Sequence, residues 1–134
     1  MARGRRRSHS MKGAISWQMA EILNDASEEV RAAVERALKI VPDETAEDLR
    51  QTSPQDHGDY AKSWAVKREG SMSAIVHNKE HYRLTHLLEH GHTKANQYGK
   101  YPGRVPARVH IKPAEQRAAK RFQEVIEDEL NKNL

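Results

Sequence analysis

His86-Leu-Leu-Glu89-His90 gathers the residue types best able to do chemistry in this sequence. On a helix, histidines at i and i+4 share one face and could hold Zn²⁺, with the glutamate between them activating water. His92 and His110 would be further ligands. Three fixed positions specify little, however, and Gly91 ends the helix directly after His90, leaving the second ligand on a fraying turn. A metallopeptidase also needs a substrate cleft, which 134 residues scarcely supply. The more economical expectation is polar-face histidines flanking a Leu84/Leu87/Leu88 core stripe. Other chemistry is harder to find. Gly99 and Gly103 lack the spacing of a phosphate loop, and Ser53, Ser63, Ser71 and Ser73 have no neighbouring base. With no cysteine there is no thiol nucleophile, disulfide or thiolate metal site. The expectation is a protein that is not an enzyme and holds no cofactor or metal.

Binding is the better-supported alternative to catalysis. Residues 1–12 read as a flexible basic arm, with Arg3, Arg5, Arg6, Arg7 and Lys12 and no acid. Such an arm could neutralise phosphates, which would make its binding salt-dependent. Tyr98 and Tyr101 interleave with Lys94, Lys100 and Arg104, a pattern that can stack on single strands, although tyrosines in a loop more commonly anchor it. Between Glu21 and Asp48 stand nine acids against three bases, whereas His81–Arg121 carries nine bases against two acids. Blocks of this kind suit an acidic face docking onto a basic one, and a basic stripe also suits nucleic acid. A small basic nucleic-acid-binding protein is therefore one reading of the chain.

The elements that must position these residues follow from composition and spacing. At 15.3 kDa, with 37% apolar and 31% charged residues and a mean hydropathy of −0.93, the chain suits one domain over 13–134 with a modest core. No run reaches the roughly 20 apolar residues of a membrane span, and no export signal core follows the first residues. Apolar residues from Ile15 to Val41 recur every three or four positions, which predicts one long amphipathic helix. Pro42 should end or kink it, with a short helix continuing to about Gln51. A strand over Tyr60–Arg68, a turn at Glu69–Ser71 and a returning strand over Met72–Asn78 make a hairpin. A short helix from Tyr82 stops at Gly91, residues 92–103 form a polar loop, and Val105–Ile111 is an edge strand. Pro113 opens a last helix whose stripe is Ala114, Ala118, Phe122, Val125, Ile126 and Leu130. The expected class is α+β: a long N-terminal helix, a small antiparallel sheet of about three strands with a short helix, and a C-terminal helix.

Three stretches in order carry a resemblance: Ser53-Pro54 leading to Gly58-Asp-Tyr60-Ala-Lys-Ser-Trp64, then Tyr82 through Glu89-His-Gly91, then Arg108-Val-His-Ile-Lys-Pro113-Ala114. Together they resemble the gp-ten-like tail-completion or head–tail joining (neck) proteins of long-tailed, lambdoid bacteriophages, over about residues 15–130. His57 stands where that family usually has threonine, and Pro42 interrupts its long helix. The resemblance implies a virion protein assembled in the host cytoplasm. It would form a homo-oligomeric ring around the DNA channel, between portal or connector proteins and the tail terminator or tail tube, with non-specific DNA contact and no membrane. Arg3, Arg5, Arg6, Arg7, Lys100, Arg104 and Arg108 are the candidate contacts to DNA or a neighbouring subunit. Gly58, Tyr60, Trp64, Tyr82, Glu89, Gly91 and Pro113 are the candidate structural motif, with Gly58 and Gly91 at positions needing positive φ or close backbone approach. Glu89 would accept hydrogen bonds from backbone or basic groups.

Overall fold

Ser27 decides where the long helix begins. Its hydroxyl accepts the Val30 N–H at 3.2 Å, and Glu28 and Glu29 lie at the positive end of the helix dipole. In the computed structural model, which describes residues 9–10, 13–56, 58–96 and 99–132, this helix (α1) runs Glu28–Thr52. The expected helix over 15–41 is thus displaced. Ile15–Gln18 is a strand (β2), because Ile15 and Trp17 sit opposite Val76 and Ala74 and turn the same face inward. Spacing of three and four also fitted these residues, but cross-strand pairing outweighs it.

Pro42 neither ends α1 nor begins a second helix. It removes the donor that the Leu38 carbonyl would receive, and a distant side chain replaces it. Arg68 Nη2 donates to Leu38 O at 3.0 Å and to Lys39 O at 3.2 Å. Arg68→Met should therefore cost about 1 kcal/mol, and the cost should shrink when Pro42→Ala restores the missing N–H. A double-mutant cycle from urea melts checks this; additive costs would show that Arg68 does not substitute for the lost donor.

After α1 come α2 (Gly58–Lys62), β3 (Trp64–Arg68) and β4 (Ser73–Asn78). The expected strand over 60–68 is therefore helical in its first residues, where Ser63 N–H reaches back to Tyr60 O. The antiparallel sheet is β2-β4-β3, extended at the β2 edge by β1 (His9–Ser10), two residues of the expected arm. Helix α3 (Tyr82–His90) ends at Gly91 as expected. The segment 92–103, expected as a loop, lies in a second antiparallel hairpin, β5 (His92–Asn96) with β6 (Gly99–Val105). The expected strand over 105–111 is absent. Pro106 has no N–H to pair, Arg108 N donates to Leu88 O, and helix α4 (Ile111–Asn131) has already begun.

The core lies where the sheet packs on α1 and α4. Ile15, Trp17, Ala74 and Val76 from the sheet meet Val34, Leu38, Val41 and Leu49 from α1 and Ala114, Ala118 and Val125 from α4. Phe122 stacks on Trp17 with ring centroids 6.3 Å apart. The two long helices run antiparallel, fixed by Asp48–Arg117, Glu44–Arg121 and Arg36–Glu129 pairs. The acidic and basic sequence blocks thus meet partly inside one chain, rather than serving only contacts between copies. No helix among the described residues is long and apolar enough to cross a membrane.

Candidate functional site

Six elements converge on one buried polar cluster, and Glu89 is its centre. Thr85 and Glu89 lie on the inner face of α3, which points the Glu89 carboxylate at the start of α4. Oε1 accepts the His110 and Ile111 N–H groups at 2.9 Å each, and Oε2 accepts the Lys112 N–H at 2.9 Å. The N-terminus of α4 has no side-chain cap of its own at His110. A carboxylate from another helix therefore satisfies donors that a helix start leaves open, at the positive end of its dipole. Burial alone would push the Glu89 carboxyl up. The three backbone N–H groups and the adjacent His110 ring outweigh that and hold it below the usual range.

His110 extends the cluster. Its Nδ1 lies 2.7 Å from Arg108 O, which can only accept, so Nδ1 carries a proton; in the neutral ring Nε2 then accepts from the Tyr60 hydroxyl at 2.8 Å. Nδ1 also lies 3.2 Å from Glu89 Oε1. Burial, and then the Glu89 charge, push the Tyr60 phenol up, so it stays a neutral donor. Tyr60 O accepts from Asn78 Nδ2 at 2.8 Å. Trp64 is 1% exposed, sets its ring edge-on to Tyr60, and donates its indole N–H to Ser53 Oγ at 2.8 Å. Ser53 caps the end of α1 through its N–H to Leu49 O. One chain of hydrogen bonds and ring contacts thus ties α1, α2, β3, β4, α3 and α4.

Both Glu89 oxygens accept from backbone donors, and the carboxylate shares one shallow cleft with His86 and His90, whose exposed rings sit 4.7 Å apart. Among the described residues no group of three or more ligating side chains is set to hold a metal.

Gly91 lies at φ 73°, and a Cβ there would come within 2.5 Å of Val105 O, so the helix end and the β6 strand both require glycine. Gly58 is a correction. It starts α2, has no positive φ among the described residues, and leaves open space around a Cβ. Gly91→Ala should cost about 2 kcal/mol, from backbone strain and the clash, whereas Gly58→Ala should leave the melting temperature unchanged or slightly higher. Equal shifts for the two variants in a thermal melt would refute the distinction. Gly13, which sequence reasoning passed over, is a second such position: φ is 84° and a Cβ would strike the Thr85 side chain.

The remaining candidates scatter. Arg3, Arg5, Arg6 and Arg7 lie outside the described residues, as do Lys12, His57 and Tyr98. Lys100 falls on β6. Arg104 donates to His90 O at 2.7 Å and Arg108 pairs with Asp56, so both have partners within the chain. Tyr82 is exposed at the start of α3, beneath the Arg83 guanidinium 5.7 Å from its ring. Pro113 sits in the first turn of α4, where its missing N–H costs nothing. His110, Ser53 and Asn78 carry the cluster but were not singled out for that role. Polar residues beside aromatics were the only signal, and spacing of 50 residues between Tyr60 and His110 hides it.

A cluster of this kind defines an α+β protein whose buried polar residues fasten elements to one another. The chain belongs to the HK97-gp10-like family, described as "Bacteriophage HK97-gp10, putative tail-component", which matches residues 17–91. It is a family of phage tail components, not of enzymes, and places the protein among structural proteins of the virion. The matched span runs from Trp17 to Gly91 and so includes Tyr60, Trp64 and Glu89 but stops short of His110 and α4. No curated protein and no solved structure matches the chain.

Proposed function

We propose that the protein is a head–tail joining or tail-completion subunit, assembling as a ring between the capsid connector and the tail around the DNA channel. Membership of the phage tail-component family is the observation that carries this reading. The fastened cluster supports it: a subunit wedged between two assemblies needs elements held rigidly, and this site spends its polar groups on that. In this reading residues 1–12 are a basic arm, of which His9–Ser10 joins the sheet edge, and 13–134 the folded unit. The arm and the cationic hairpin would meet DNA without reading its sequence. Partners would be further copies, portal or connector proteins, and the tail terminator or tube, with assembly in the host cytoplasm.

Electron microscopy of purified protein, and of particles carrying a tagged copy, tests the proposal. Rings in the first and label at the neck in the second are expected. A monomer at all concentrations that is missing from particles would overturn it. DNA affinity that disappears on deleting residues 1–12, with no ring formed, would favour the nucleic-acid-binding reading instead.

A further inference from the structure

The exposed apolar residues are not scattered evenly. Among the described residues four large ones stand out: Tyr82 at 59%, Leu87 at 40%, Val109 at 56% and Ile22 at 57% exposure. The first three gather at one end of the molecule. On α3, Tyr82, Arg83, His86, Leu87 and His90 are all exposed and fall within one helical arc, bordering the inward Thr85 and Glu89. Val109 follows Arg108, whose N–H donates to Leu88 O in the last turn of α3. The charge of this face is positive. Arg83 lies on the face, Arg104 reaches its last turn at His90 O, and residues 92–105 contain no acid. The neighbouring pairs Lys79 with Glu80 and Lys112 with Glu115 offset each other.

Ile22 stands at the other end, just before α1, amid exposed Glu21, Asp25, Glu28 and Glu29. Exposed Glu124, Glu127 and Asp128 near the end of α4 lie on the same side, since α4 runs antiparallel to α1. The bases there are occupied: Arg31 donates to Leu23 O, and Arg36 and Lys132 meet Glu129. Because α3 caps α4 at its start, the length of that helix, about 31 Å, separates the two ends.

We propose that these ends are the two halves of one contact, in which the α3 face of one copy (Tyr82, Arg83, Leu87, Val109) docks on the acidic α1 entrance (Ile22, Asp25, Glu28, Glu29) of the next. Each half has an apolar centre with a charged rim of opposite sign, the anatomy of a specific interface. The halves lie at opposite ends of one chain, so the contact is head-to-tail, the kind that closes rings or extends filaments. It rests on the self-assembly proposed above.

Self-association measured by sedimentation tests the pairing. Arg83→Glu and the double variant Asp25→Lys with Glu28→Lys should each weaken association about tenfold or more. A 1:1 mixture should recover it, since every junction in an alternating assembly again joins opposite charges. Leu87→Ser and Ile22→Ser, which leave the helix charges alone, should each weaken it too, with unchanged melting temperatures as the folding control. Wild-type association that none of these changes, or weakening that mixing fails to recover, overturns the pairing while leaving the ring reading standing. A wild-type chain that never associates overturns both.

Discussion

Glu89→Ala should destabilise the fold by about 3–5 kcal/mol, because it strands the N–H groups of His110, Ile111 and Lys112 together. Their replacement partner would have to be water, and the site lies where α3 presses on α4. Glu89→Gln should cost about 2 kcal/mol: one carbonyl oxygen remains, but the amide turns a donor toward donors and removes the charge from the helix start. The acid dependence gives a separate readout. The folded Glu89 carboxyl sits below its usual range, and the unfolded value is about 4.3. Its stabilisation is therefore complete above the unfolded value and is lost as pH falls through the lower folded one. Urea midpoints at neutral and acid pH should converge for wild type and Glu89→Gln as the pH drops. A constant gap between them would mean that the carboxylate charge contributes nothing.

Trp64→Ala should be of similar size, about 3–5 kcal/mol. The indole is fully enclosed, so truncation opens a cavity between Tyr60, His110 and the end of α1 and leaves Ser53 Oγ without its donor. Trp64→Phe separates the two causes. It keeps most of the ring and loses the N–H, and should cost about 1–2 kcal/mol. Denaturant melts of both variants measure the difference. Negligible shifts for both would mean that the cluster does not hold α1 against β3, and near-normal particle assembly by Glu89→Ala would argue against rigid fastening as the purpose of the site.

Much of the site was present in the sequence as residue types in order. Tyr60, Trp64, Glu89, Gly91 and Pro113 were all named, and Glu89 does accept backbone hydrogen bonds at a helix junction. What spacing misread was the partner. His86-x-x-Glu89-His90 points to a shared helical face, yet Glu89 spends both carboxylate oxygens on backbone N–H groups 21 to 23 residues away. Gly58 was misread for the converse reason: glycine is required only by φ or by a neighbour, and neither is visible in a string of letters.

The sequence by itself determined the class of fold, the stop of α3 at Gly91, the proline start of α4 and its apolar stripe. These are local properties, set by glycine and proline stereochemistry and by a period that one element carries within itself. Only the tertiary structure decided that Ile15–Gln18 is a strand, that α1 passes through Pro42, and that residues 106–110 leave the sheet. In each case a distant group supplied what the segment lacked: Val76 and Ala74 a pairing edge, Arg68 the missing donor, and Glu89 and Leu88 the acceptors. Backbone hydrogen bonds must be satisfied somewhere, and a chain read one residue at a time does not say where.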